Sequence, residues 1–409
     1  MRRLLPLLIA ALPLGAAAEA PTPAAIPGAK AGDIVLDTGS RGITYTVAFS
    51  GEDALVVGLD QALARIDPQD PDGGWRVPMP NRTRVIRTCT GHPGALVTGS
   101  DDGSVRIHAA DDGRLIETLP GPKLAWIVDI AISPDGRDIV AVDLKGGIAR
   151  WTHRKRVEVR WPAVPRSVIA SPPGAAAPSP PPRRPLKPGM FGRLEAVAFA
   201  PDGRLVVAGN GGPLSLAVFD RDVSKLLAGH RAPRPGGGDK HWQYGQALAF
   251  SPDGRHLAVG YWGGGLELLS WPDLQTRWAS ELDDSWISRI VWARDDVLWA
   301  VGGKTLHGVW ALDGGSVVVR QTAPNHALDA FAVSPAGGRV ALGPRMTGAV
   351  LIFPAKMGGV FSPARFPPPR AAPVAVPPAL RPGADPCIGV RCPVGYDCRN
   401  GDCRPLTGQ

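Results

Sequence analysis

Three stretches carry one pattern: Ala131–Val142 (AISPDGRDIVAV), Ala198–Gly209 (AFAPDGRLVVAG) and Ala249–Gly260 (AFSPDGRHLAVG). In each, a strand of alternating apolar and polar residues runs into Pro-Asp-Gly, and a second apolar strand follows. Alternation buries one face of a strand. Proline fixes φ, aspartate bonds its own backbone and glycine accepts a positive φ, so the three residues between the strands form a tight turn. Fainter copies start at Ala48 (AFSGEDALVVG), Cys89 (CTGHPGALVTG), Val291 (VWARDDVLWAVG) and Ala332 (AVSPAGGRVALG).

Equating Ser50, Thr90, Ser133, Ala200, Ser251, Ala293 and Ser334 gives steps of 40, 43, 67, 51, 42 and 41 residues. Four of the six match the period of a four-stranded propeller blade. The two long steps hold insertions: a Pro-rich excursion at about 161–192 and RAPRPGGGDK from Arg231 to Lys240. A single four-stranded sheet cannot bury both its faces, whereas radial stacking of several does so. The expected fold is all-β, a propeller of seven four-stranded blades over 33–362. A spare strand at Asp33–Asp37 (DIVLD) is expected to pair into the last blade and close the ring, since closure removes exposed edges.

The segment Leu96–Gly121 (LVTGSDDGSVRIHAADDGRLIETLPG) resembles the WD-repeat β-propeller family in its second and third strands, its Asp102-Gly103 hairpin and its fourth strand. The copies depart from the family signature: His108 stands where its Trp is expected, Trp151 is the one Trp in that slot, and Gly229-His230 is the one Gly-His pair in register. The resemblance implies a rigid platform that binds proteins through loops at one face. Seven-bladed folds resembling quinoprotein dehydrogenases or lactonases are the related alternative.

Arg2-Arg3, the apolar run Leu4–Leu14 and Ala18-Glu19-Ala20 read as a secretory signal over 1–20, followed by a linker at 21–32. The expected location is therefore the periplasm, the cell surface or the medium. No apolar run reaches the length of a membrane span. The chain has 409 residues and a net charge of +8. Ten Lys or Arg against one acid fall between Arg150 and Arg193, so the basicity is one patch. In an exported chain such a patch suits an anionic envelope polymer better than nucleic acid, and nucleic acid is not expected as a partner.

Pro363 to Pro386 holds nine prolines and reads as a stiff linker over 363–386. Residues 387–403 then carry four of the five cysteines, Cys387, Cys392, Cys398 and Cys403, with 404–409 as a tail. In an exported chain this spacing is a disulfide framework with three possible connectivities. The segment resembles short follistatin-N-terminal or EGF-like modules, and that resemblance implies Cys387–Cys398 and Cys392–Cys403. Cys89 falls on a first strand where other copies have Phe and is expected in the core.

No Cys-x-x-Cys-His, phosphate-binding Gly-x-x-x-x-Gly-Lys-Ser/Thr, His-Glu-x-x-His or Gly-x-Ser-x-Gly motif occurs. The eight His are scattered, and no metal or cofactor is expected. The Asp-rich loop Asp67–Gly74 is either a turn or a calcium loop. Eight of the twelve Trp lie between Trp242 and Trp310. Seven residues before each repeat anchor stand Ile43, Thr83, Trp126, Arg193, Tyr244, Trp286 and Ala327, where an incoming loop meets an innermost strand. Trp126, Tyr244, Trp286 and Arg193 are therefore candidate anchors of a binding face, because interface hot spots favour Trp, Tyr and Arg. Two residues further on, Tyr45, Glu195, Gln246 and Asp329 are candidates for polar specificity. The functional expectation is a non-catalytic protein- or peptide-binding platform. A carbohydrate or anionic-polymer binder and a propeller enzyme are the alternatives.

Overall fold

The computed structural model describes residues 34–38, 43–52, 54–67, 69, 74–88, 94–120, 124–157, 159, 192–209, 214–232, 244–282, 286–294, 296–303, 305–312, 314–322, 328–344, 349–355, 396–399 and 402–405. Every element among them is a strand. Six antiparallel four-stranded sheets follow chain order: blade 1 at 46–78, blade 2 at 83–118, blade 3 at 127–157, blade 4 at 194–230, blade 5 at 245–281 and blade 6 at 287–322. Blade 7 takes three strands from 328–354, and Ile34–Asp37 supplies the fourth. Ile34 pairs with Ile352 and Asp37 with Ala349. The expected closing strand is present.

The first strand of each blade is innermost: Thr46–Phe49, Thr83–Thr88, Ile127–Ile132, Leu194–Phe199, Gly245–Phe250, Ile287–Arg294 and Leu328–Val333. Each touches the first strand of the blade on either side, and the last touches the first, so the seven strands form a closed ring. The core is divided in the same way. Seven apolar clusters lie between successive blades. Leu205 and Phe219 of blade 4 meet Val140 and Val142 of blade 3, and Val47 and Phe49 of blade 1 meet Ala330 and Ile352 of blade 7 across the closure. Each blade buries one face against each neighbour, as stacked sheets with no interior of their own must.

The repeated turn works as its residues dictate. Gly136, Gly203 and Gly254 have φ of 71°, 87° and 70°. The Ser133 hydroxyl donates to Asp135 and accepts from the Asp138 amide, and Ser251 does the same between Asp253 and the His256 amide. Two Trp on outermost strands clasp the next blade. The Trp75 indole donates to the Ala110 carbonyl (3.1 Å) and lies on Gly113, while the Trp278 indole donates to the Ala311 carbonyl (2.6 Å) and lies on Gly315. In a third-strand slot, buried Trp151 donates to the Pro120 carbonyl (2.7 Å). His108 in the same slot is buried, with Nδ1 3.0 Å from the Gly113 carbonyl, an acceptor, so the ring proton sits on Nδ1.

Candidate binding site

The innermost strands begin irregularly. In blades 2 to 7 the pairing with the second strand shifts by one residue at the start: Thr83/Val85, Ile127/Asp129, Leu194/Ala196, Gly245/Ala247, Ile287/Arg289 and Leu328/Ala330. The extra residues are Arg84, Val128, Glu195, Gln246, Ser288 and Asp329. A bulge turns one side chain out of the pleat, and here the same turn recurs around the ring. Tyr45, beside the Thr46–Gly58 pair, occupies the matching level in blade 1. Tyr45, Arg84, Val128, Glu195, Gln246 and Ser288 all line one pocket of about 320 Å³ at this end of the ring. Trp126, Arg193 and Trp286, each one residue before its strand, complete the wall together with Trp262 and Arg289.

Six sequence-predicted residues thus meet in one pocket: Tyr45, Trp126, Arg193, Glu195, Gln246 and Trp286. Tyr244 does not line it; it is half-buried, and its carbonyl accepts from the Trp262 amide (2.9 Å). Asp329 starts the blade 7 bulge, but its side chain lies outside the described residues, as does Ala327. Blade 2 needs a correction. Thr88 pairs with Leu96 as Ile132 pairs with Ile139, so its repeat starts one residue earlier than the count from Thr90. Thr83 is therefore a strand residue, 0% exposed, and the ring positions fall to Arg82 and Arg84. Arg84 was missed for that reason. Trp262 was missed because it sits on the hairpin between the second and third strands of blade 5, outside the repeated position.

Arg84 is held in place. Its guanidinium lies 4.8 Å from the Tyr45 ring centre and 5.1 Å from that of Trp126, and its Nε donates to Asp101 (2.5 Å). Cation–π contacts on two faces fix the side chain between the rings. The Tyr45 hydroxyl donates to Asp60 (2.8 Å), which also accepts from Arg82 (3.0 Å). Burial, then the Asp60 carboxylate, push the Tyr45 phenol up to about 12, against the pull of Arg82 and Arg84. Across the pocket, Arg193 pairs with Glu195 (2.9 Å). Burial pushes the Glu195 carboxyl above its usual value, and Arg193 and Arg289 pull it back only in part. The Trp262 and Trp286 rings stack 5.5 Å apart. Trp126 is 48% exposed and Trp262 47%, unusually open for indoles.

Other candidates dispersed. Of the Trp cluster, Trp299 is core, Trp278 clasps blade 6, Trp292 donates to the Ala249 carbonyl and Trp271 to Asp202. In the basic patch, Arg150 is buried and paired with Asp138 and Asp222 (3.0 Å each). Arg154 pairs with Glu117, Arg156 lies over Trp151, and residues 160–191 lie outside the described residues. Asp67 bonds Arg65 and the Gln69 amide, while Asp70 and Asp72 are outside the described residues. The same holds for Cys89, Cys387 and Cys392; the tail hairpin Tyr396–Arg399/Asp402–Pro405 sets Cys398 in register with Cys403. Among the described residues no group of three or more His, Cys, Asp or Glu is arranged to hold a metal ion. No helix among them is long and apolar enough to cross a membrane. No protein-family model matches the chain, and no curated protein matches it.

Proposed function

We propose that the protein is an exported, non-catalytic binding module that holds a protein or peptide partner at the mouth of its propeller ring. One observation carries this reading. Bulges at equivalent positions of successive blades direct side chains into a single pocket, whose wall includes three Trp, a Tyr and three Arg. Large aromatics and arginine dominate interface hot spots, and a pocket of about 320 Å³ admits one or two anchoring side chains. The closed ring keeps these groups at fixed separations, so little order has to be gained on binding. The signal-like segment at 1–20 supports export, and the cysteine spacing at 387–403 supports an oxidising destination.

The test is affinity capture. The tagged protein is incubated with envelope extract from its own source, beside a Trp126→Ala/Trp286→Ala variant shown by circular dichroism to be folded. The expected result is a protein retained by the parent and lost by the variant. Equal retention by both would remove the site from this pocket.

A further inference from the structure

We propose that the pocket recognises a proline-rich segment of a partner protein, packing its proline rings on the exposed indoles of Trp126 and Trp262 and donating indole N–H groups to its carbonyls. This rests on the binding-module reading and adds the chemical class of the ligand.

The charged groups of the wall already have partners. Arg84 pairs with Asp101, Arg193 pairs with Glu195, and Arg289 Nη1 donates to the Ser288 carbonyl (3.2 Å). A charged ligand group would have to compete with one of these partners. The hydroxyl protons are engaged too: Tyr45 donates to Asp60 (2.8 Å) and Ser288 to the Val301 carbonyl (3.2 Å). The indoles differ by location. Away from the pocket, Trp75, Trp151, Trp271, Trp278 and Trp292 each donate Nε1–H to an acceptor in the protein. In the pocket wall, Trp126, Trp262 and Trp286 have no such acceptor among the described residues, and the Gln246 amide has no partner among them. An indole is a donor only. What the wall offers a ligand is therefore uncharged and weighted towards donors, beside the open faces of Trp126 and Trp262.

A proline-rich peptide is the complement of such a wall. Proline has a carbonyl and no N–H, so the peptide brings more acceptors than donors. In the polyproline II conformation those carbonyls make no internal hydrogen bonds. The rings are uncharged and lie flat on aromatic faces, and the conformation is largely formed before binding, which keeps the ordering cost low. The Trp262–Trp286 stack suits this, since Trp286 backs Trp262 and holds its other face towards the pocket. A glycan presents hydroxyls that donate as well as accept, and an ordinary extended peptide presents an N–H at every residue. Both would need carboxylate acceptors that Asp101 and Glu195 have already given to arginines.

The experiment is selection of random peptides displayed on phage against the whole protein, followed by affinity measurement on the enriched sequences. Enrichment in proline is expected. Exchanging the enriched prolines for alanine should weaken binding by about tenfold, which needs no protein variant, and Trp126→Ala/Trp262→Ala should weaken it at least as much. Peptides without proline preference that bind the parent and not Trp126→Ala/Trp286→Ala would overturn the proline assignment and leave the binding-module reading standing. Proline-rich peptides bound equally by Trp126→Ala/Trp262→Ala would overturn the placement. A synthetic peptide of residues 363–386 that outcompetes every selected sequence would overturn the partner as source and assign the site to this chain's own linker. No enrichment over background would count against both readings, and envelope polysaccharide retained by the parent alone would then replace them with a glycan.

Discussion

Trp262 and Trp286 meet twice: their rings stack with centroids 5.5 Å apart and planes 14° from parallel, and their backbones form an isolated antiparallel bridge. The bridge ties the blade 5 hairpin to the residue entering blade 6, so the stack is a fixed part of the pocket wall. Two indoles at this spacing couple optically. The circular dichroism spectrum is expected to show an exciton couplet that either Trp262→Ala or Trp286→Ala abolishes. Both rings border solvent, so each substitution should cost only about 1 kcal/mol of stability, read from denaturant midpoints, while ligand binding falls far more.

The clasp between blades predicts a coupling. Gly113 has φ +75°, and a Cβ built there lies 2.5 Å from the Trp75 ring; Gly315 has φ +78°, with its Cβ 2.7 Å from Trp278. Gly113→Ala combines left-handed strain with overpacking and is expected to cost about 2–3 kcal/mol. In a Trp75→Ala background the steric part disappears and about 1 kcal/mol of backbone strain should remain. Chemical unfolding of the four members of this double-mutant cycle measures the difference. Equal costs in both backgrounds would separate Gly113 from the clasp.

Ring closure predicts a large effect from a short strand. Ile34–Asp37 makes four register pairs with 349–352 and covers the open edge of blade 7. A variant beginning at Thr44 is expected to melt at least about 5 °C lower, since each lost backbone hydrogen bond costs on the order of 1 kcal/mol. Calorimetry of the two forms side by side decides it, and equal melting temperatures would refute the closing role.

The titrating groups set opposite pH dependences. Burial raises the Asp135 carboxyl, but the Ser133 hydroxyl and Arg221 outweigh it and hold it at about 2. The folded value is below the ordinary one, so this contribution is complete above about pH 4 and is lost as pH falls towards 2. Asp135→Asn should therefore lower stability at pH 6 and make no difference near pH 2. Glu195 goes the other way. Its raised value means the folded state keeps the proton longer, so stability falls as pH rises through that window. Glu195→Gln should flatten the decline above the ordinary glutamate range, seen in melting temperatures measured as pH is raised through it.

Tyrosine ionisation offers a spectroscopic check. Tyr45 is pushed up to about 12, and Tyr261 is raised well above the ordinary value by burial and by Glu267. Absorbance titration of the folded protein should show Tyr45 and Tyr261 still protonated well past pH 10. Tyr45→Phe should remove one of these late ionisations.

The blade count and the closing strand were legible because Pro-Asp-Gly turns and alternating apolar residues are local signals that each copy repeats. The pocket was legible in part for the same reason. Counting back from a repeat anchor finds Trp126, Arg193, Glu195, Gln246 and Trp286, because every innermost strand is entered in the same way. The count slipped in blade 2, where Cys89–Gly94 (CTGHPG) lacks the Pro-Asp-Gly turn that fixes register elsewhere, and Arg84 was lost to it. Trp262 and Arg289 carry no repeated signature. The hairpin that presents Trp262 belongs to one blade, and only the assembled ring brings it against Trp286. The pairing of Arg150 with Asp138 was equally hidden, because a run of charge along the chain does not reveal acids that reach it from adjacent strands.

The central claim is that ligands enter at the bulged starts of the innermost strands. Hydrogen exchange on the protein with and without its captured partner tests this most directly. The account predicts added protection at residues 45–46, 84–85, 126–128, 193–195, 246–247 and 286–289, with none on the outermost strands. Protection confined to outermost strands, such as Leu115–Thr118 or Thr276–Glu281, with the strand starts unchanged, would contradict it.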